Sequence, residues 1–202
     1  MTTFLMVRHA SMDGLGDKIV GRERGIHLNN KGHAEANQLA ARLAQVRPTA
    51  IYSSPMERAQ DTAAAIARTL GLNLSTEPGL NEIDYGHWTG KRFEELDSLP
   101  EWRRYNMCRH NADIPGGESM AALVQRASQT VERLHKSHPA GLFILVSHAD
   151  WIRAVAAHYA GARLDILQKF DVCPASISTL TVNEHGGRVT RWNDTGSQLA
   201  LQ

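Results

Sequence analysis

Three short runs of almost unbroken apolar residues, Phe4 to Val7, Ala50 to Tyr52 and Leu142 to Val146, constrain this chain more than any other feature. A strand with one face in water alternates apolar and polar residues, whereas a strand covered on both faces has no need to. The runs therefore read as interior strands with helices on both sides. A fourth run, Ile177 to Val182, also reads as a strand. Between the runs, apolar residues recur at three- and four-residue spacing over Ala34 to Val46, Ala59 to Leu70, Met120 to Leu134 and Ile152 to Tyr159, the pattern of helices with one buried face. Alternating strands and helices predict an α/β fold with a mostly parallel central sheet. Ser54-Pro55 offers a cap and a first-turn proline for the second helix, and Ser119 a cap for the third. The segment of about residues 93–114, rich in Trp, Arg and Tyr, predicts a small helical excursion that could act as a lid.

A chain of 202 residues, 42% hydrophobic and 21% charged, suits one domain, 1–202, able to bury roughly 70% of its unfolded surface. The formal net charge of +1 argues against a nucleic-acid or membrane surface, so any anion site must be a local cluster of basic residues. Cys108 and Cys173 stand far apart in sequence, with no metal-ligand spacing, and predict two reduced thiols. Phe4 to Val7 is too short for a secretory signal or a membrane span, so a cytoplasmic location is expected.

In open α/β sheets, ligands bind beyond the carboxyl ends of the strands. The residues there are Arg8-His9, Ser53-Ser54-Pro55-Met56-Glu57-Arg58 and Ser147-His148. Two arginines and two histidines at three strand ends outline a pocket for a phosphoryl group, whose oxygens match planar guanidinium forks. Arg58 also falls in the first turn of its helix, where free amides and the helix dipole favour an anion. A neutral imidazole whose second nitrogen is held by an acceptor is a competent nucleophile, and His9 suits that role, with His148 stabilising charge. A departing alkoxide needs a proton from an acid of raised pKa. Glu82, within Leu80 to Gly90, is the candidate.

Leu5-Met6-Val7-Arg8-His9-Ala10, Ser53 to Ala59, Leu80-Asn81-Glu82 through Trp88-Thr89-Gly90, Pro115-Gly116-Gly117-Glu118-Ser119 and Val146-Ser147-His148 together resemble the histidine phosphatase superfamily, in its phosphoglycerate-mutase-like branch. Five motifs in the family's order are far more specific than one Arg-His pair. The resemblance implies a three-layer sandwich, a phosphorylated His9, phosphoryl contacts from Arg8, Arg58 and His148, and Glu82 as proton donor. It implies a small-molecule phosphorylated substrate and neither metal nor other cofactor. The acid phosphatases and phytases of the superfamily's other branch place an Asp directly after the second histidine; here Ala149 stands there and Asp150 comes one residue later. The chain also departs from the pattern after His9. Ala10 replaces a common Gly, and Leu15 falls where an Asn donor is usual, leaving Ser11 or a loop amide to contribute to phosphate binding.

Several residues have plainer readings. The remaining histidines show no metal-ligand spacing with Cys or carboxylates and read as surface or core residues; His87, beside Glu82, is the one that could border the pocket. Ser53 and Ser54 sit in no nucleophile elbow. Trp102-Arg103-Arg104-Tyr105 is similar to runs in phosphoglycerate mutases that contact a substrate carboxylate, which makes Arg103 and Arg104 substrate-binding candidates; otherwise they are solvated arginines of a lid helix. The lid is shorter than a mutase's, and a mutase must exclude water to return its phosphoryl group, so hydrolysis of small phosphate monoesters is expected. The alternatives are a 2,3-bisphosphoglycerate-dependent phosphoglycerate mutase and, from a different class, a catalytically decayed phosphate-binding regulatory protein. A homodimer is compatible with the sequence.

Overall fold

The computed structural model describes residues 1–110 and 112–196. Asn111, in the expected lid, and residues 197–202, at the end of the expected domain, lie outside the described residues. Six strands, β1 (Thr2–Arg8), β2 (Ala50–Ser53), β3 (Leu74–Thr76), β4 (Leu142–Ser147), β5 (Ile177–Asn183) and β6 (Gly186–Asp194), form one sheet in the order β3-β2-β4-β1-β5-β6. The β1–β4, β4–β2 and β2–β3 pairs are parallel, while β5 runs against β1 and β6 against β5. All four expected strands are present, and the sheet is mostly parallel as read. The sequence reading missed β3 and β6. Both lie at the sheet edges, where pairing with a neighbour, not an apolar run of their own, makes the strand.

Side chains on the central strands alternate between two cores. Phe4, Met6, Phe143 and Leu145 pack on one side of the sheet with Leu123 and Val131 of α5 (Met120–Ser137) and Trp151 and Val155 of α6 (Ala149–Ala160). Leu5, Val7, Ile144 and Val146 pack on the other with Leu39 and Ala40 of α1 (Asn30–Arg42) and Ala63 and Ile66 of α2 (Glu57–Leu70). Both faces are covered, which is why neither strand alternates in sequence, and the result is a helix–sheet–helix sandwich.

Helix starts follow local chemistry. Asn29 caps α1 by accepting from the Gly32 N–H at 2.8 Å, so the helix begins ahead of its apolar pattern. Ser119 caps α5 as expected, accepting from the Ala122 N–H at 3.2 Å. The expected Ser54 cap is not formed. Met56 occupies the cap position of α2 without a side-chain bond, and the Ser54 hydroxyl accepts from the Met56 N–H at 3.3 Å and lies against His148.

The segment expected to form a lid holds two helices, α3 (Phe93–Leu96) and α4 (Pro100–Met107). Trp102 and Tyr105 turn inward, with ring centroids 5.2 Å and 5.3 Å from Trp88. This aromatic cluster fastens the lid to the stretch that carries Glu82.

Gly32 marks a close approach between α1 and the loop after His9: a Cβ there would stand 1.9 Å from the Ser11 carbonyl oxygen. Gly32→Ala should therefore cost about 1–3 kcal/mol in urea unfolding, by the usual penalty for overpacking. Unchanged stability would show that the loop moves aside freely.

Candidate active site

The parallel register brings three strand ends to one edge, with Arg8 opposite Ser147 and Ser53 opposite Val146. The ladder runs one residue further: the His9 N–H donates to the Ser147 carbonyl and the Ser54 N–H to the Val146 carbonyl, both at 2.9 Å. His9, Ser54 and His148 thus leave the sheet side by side. Arg58 sits in the first turn of α2, and His148 is itself the N-cap of α6, so the positive ends of two helices meet at this edge.

Arg58 organises the centre. It is 2% exposed, and its Nη2 donates to the Gly21 carbonyl at 2.6 Å and to His148 Nδ1 at 3.2 Å, while Nε makes a long 3.4 Å contact to His9 Nε2. A guanidinium can only donate, so these contacts assign the tautomers. His148 keeps its proton on Nε2 and donates it to Ser54 Oγ at 2.8 Å. His9 keeps its proton on Nδ1, donates it to the Ala10 carbonyl at 2.8 Å, and is left with the Nε2 lone pair directed toward the arginine. Ala10 in place of glycine leaves this bond intact, because a backbone oxygen makes it. Burial, then the charges of Arg58 and Arg8, holds His9 well below its usual pKa, and burial with Arg58 does the same to His148. Both rings are neutral near pH 7.

Arg8 donates from Nη1 to the Val172 carbonyl at 2.5 Å. Arg8 Nε and Arg58 Nη1 are buried and, among the described residues, have no acceptor. An orphaned buried donor costs about 1–3 kcal/mol, more when charged, so these groups suit an anionic ligand.

Glu82 lies just before the lid's aromatic anchor and is 9% exposed. Its Oε1 accepts from the Ile83 N–H at 3.0 Å. Burial, reinforced by the negative charge of Asp150, pushes its carboxyl up to about 7 against the opposing pull of Arg58 and Arg8. Asp150 is buried too. Burial would raise it, but Arg109, Arg153 and a hydrogen bond from the Tyr85 hydroxyl outweigh that and keep it ionised. One carboxyl group is thus kept charged while the other is held near neutrality.

The structure brings together Arg8, His9, Arg58, Glu82 and His148, and places the other candidates elsewhere. Ser11 donates from its N–H and its hydroxyl to Glu35, at 2.8 Å and 2.9 Å, so both of its donors are engaged. Arg103 and Arg104 are exposed on the outer side of α4, Arg103 donating to the Asp97 carbonyl at 2.8 Å. His87 is exposed and lies against Gly116. The lid's inward arginine is Arg109, with its guanidinium 4.5 Å from the Tyr105 ring centroid.

Sequence reasoning also missed the brace on Glu82. Arg22 and Arg126 both donate to the Glu82 carbonyl, at 2.8 Å and 3.3 Å, and both bond the Glu118 carboxylate. Glu118 belonged to a recognised motif and could have signalled this role; Arg22 and Arg126 offered no local sign. Nor is His110 isolated, since the fold sets it between Cys108 and Asp165.

The description of the histidine phosphatase superfamily (branch 1) matches residues 4–195. The chain belongs to this family. It is 32% identical over 200 residues to phosphoserine phosphatase 1 of Hydrogenobacter thermophilus, covering 96% of this chain and 93% of that protein. Phosphoglycerate mutase-like protein 4 of Arabidopsis thaliana is 29% identical, over 75% of this chain and 68% of its own. A mutant phosphoserine phosphatase from Entamoeba histolytica, solved with phosphoserine, superposes with a TM-score of 0.89 at 26% identity, covering 98% of this chain and all of that one. Among the described residues, no helix of this histidine phosphatase is long and apolar enough to cross a membrane.

The electrostatic pairing of Glu82 and Asp150 can be tested directly. Asp150→Asn removes the like charge, so the ionised form of Glu82 becomes easier to reach and its pKa should fall from about 7, as read by carboxyl-carbon NMR titration against Glu82→Gln. An unchanged titration would show that burial alone raises Glu82.

Proposed function

We propose that this histidine phosphatase hydrolyses small phosphate monoesters in two steps through a phosphohistidine at His9. The observation that carries the reading is the His9 Nε2 lone pair, freed by the Nδ1–H bond to Ala10, beside two guanidinium groups each with a buried, unused donor. In the first step, Nε2 attacks phosphorus, the ester P–O bond breaks, and Glu82 delivers its proton to the departing oxygen. Arg8, Arg58 and the His148 Nε2–H, released from Ser54, bind the phosphoryl oxygens and stabilise charge as it spreads over them. In the second step, the Glu82 carboxylate accepts a proton from water as the water oxygen attacks phosphorus and the N–P bond breaks, releasing phosphate. A carboxyl group titrating near 7 can serve in both directions at neutral pH.

The relatives named for phosphoserine support a small, acidic, phosphorylated metabolite as substrate, and phosphoserine heads the panel to be tried. The near-neutral charge and two free thiols support a cytoplasmic enzyme without a nucleic-acid partner.

Phosphate release from phosphoserine, phosphoglycerates and an aryl phosphate, measured in chelator, should be present in the wild type and absent in His9→Ala. Glu82→Gln should lose about 10²- to 10⁴-fold on alkyl esters and far less on the aryl ester, whose leaving group departs unprotonated. Equal losses on both would remove Glu82 from the acid's role. Interconversion of phosphoglycerates without net release would make the enzyme a mutase.

With Glu82 as the acid, kcat/KM for alkyl esters should decline above about pH 7, because the required proton is lost as pH rises through the raised pKa. In Asp150→Asn the decline should begin at lower pH. A flat profile through that range would contradict the assignment.

A further inference from the structure

Beyond the catalytic edge, the end of the lid gathers three side chains of metal-binding type. Cys108 is the C-cap of α4, His110 follows two residues later, and Asp165 lies in the 3-10 segment Leu164–Lys169 after α6. The His110 Nδ1 lies 3.0 Å from each carboxylate oxygen of Asp165, and the Cys108 Sγ lies 3.6 Å from that same nitrogen. One ligand atom from each residue falls within 4.8 Å of the others. In a tetrahedral site with Zn–S near 2.3 Å and Zn–N and Zn–O near 2.0–2.2 Å, ligand atoms stand about 3.3–3.7 Å apart. The observed separations are already close to two edges of such a tetrahedron.

A simple ion pair explains His110 and Asp165, and Arg163 shares in it through Asp165 Oδ2 at 3.2 Å. It does not explain the thiol. Asp165 has a second oxygen to offer, Cys108 and Asp165 are half-buried, and His110 is exposed, so an ion could enter from solvent. We propose that Cys108, His110 and Asp165 form a binding site for a thiophilic divalent cation of the zinc type, with water as fourth ligand. Binding would displace the thiol proton of Cys108 to solvent and would use neutral His110. The ion would join the end of the lid to the segment after α6. Arg109, which reaches Asp150 at 3.7 Å, would then be held on both sides by metal ligands. The site shares no residue with the set proposed to handle the phosphoryl group, and it stands whether or not the catalytic reading does.

The test is titration of the whole reduced, chelator-treated protein with Co²⁺. One equivalent should produce thiolate-to-cobalt charge-transfer absorption in the near ultraviolet and the strong visible bands of four-coordinate cobalt, both bleached by Zn²⁺. Cys108→Ser should abolish the charge-transfer band, while Cys173→Ser keeps it. His110→Ala and Asp165→Asn should weaken binding roughly tenfold or more. Circular dichroism and phosphate release of each variant, expected to match the wild type without metal, check that the fold is retained. Absence of a band at one equivalent, its survival in Cys108→Ser, its loss in Cys173→Ser, or wild-type affinity in the His110 and Asp165 variants would each overturn the proposal.

Discussion

A positive charge buried beneath two histidines is the constraint on which the site depends. Arg58 has almost no contact with water, and among the described residues none pairs with it as a direct ion pair; its Nε and Nη2 donate to a backbone carbonyl and two imidazoles, while Nη1 has no acceptor. Such a charge is tolerated when polar groups are fixed around it, and here they are fixed by the most rigid part of the molecule. The ladder of β1, β4 and β2 sets the strand ends, the first turn of α2 sets the arginine, and the loop after His9 bends back to supply the Gly21 carbonyl. Burial first, and the arginine with it, keeps both rings neutral, and the arginine directs their lone pairs. Protonating either ring would add a further positive charge beside Arg58 and Arg8.

The carboxyl group of Glu82 is built on the opposite principle. Glu82 is raised by lack of water and by the nearby negative charge of Asp150, which two arginines and a tyrosine keep ionised. Trp88, six residues after Glu82, packs edge to face against Trp102.

Much of this was legible in the residues alone, for definite reasons. Continuous apolar runs announced the buried strands, because only a strand covered on both faces lacks alternation, and the residues just past them included Arg8, His9, Arg58 and His148. Residues whose roles arise from long-range contact left no such trace. Arg22 and Arg126 look like ordinary surface arginines until the fold brings both onto the Glu82 carbonyl. The Trp102 to Tyr105 run drew attention to Arg103 and Arg104, yet the helical turn sends the aromatic pair inward and those arginines out, and Arg109 is the one that enters. Ser54 reads as a helix cap, but with His148 leaving the neighbouring strand beside it, its hydroxyl serves the imidazole.

The sequence by itself determined which chemical groups this enzyme can bring to a strand edge, and the order in which the chain delivers them. It could do so because burial on two faces and the end of a strand are local properties, written in consecutive residues. Only the tertiary structure decided the protonation of those groups: the tautomers of His9 and His148, the division of charge between Glu82 and Asp150, and the meeting of Cys108 and His110 with Asp165. These depend on contacts between residues 49 to 94 apart in the chain and on how much water the packing excludes, and neither quantity is a property of any one segment.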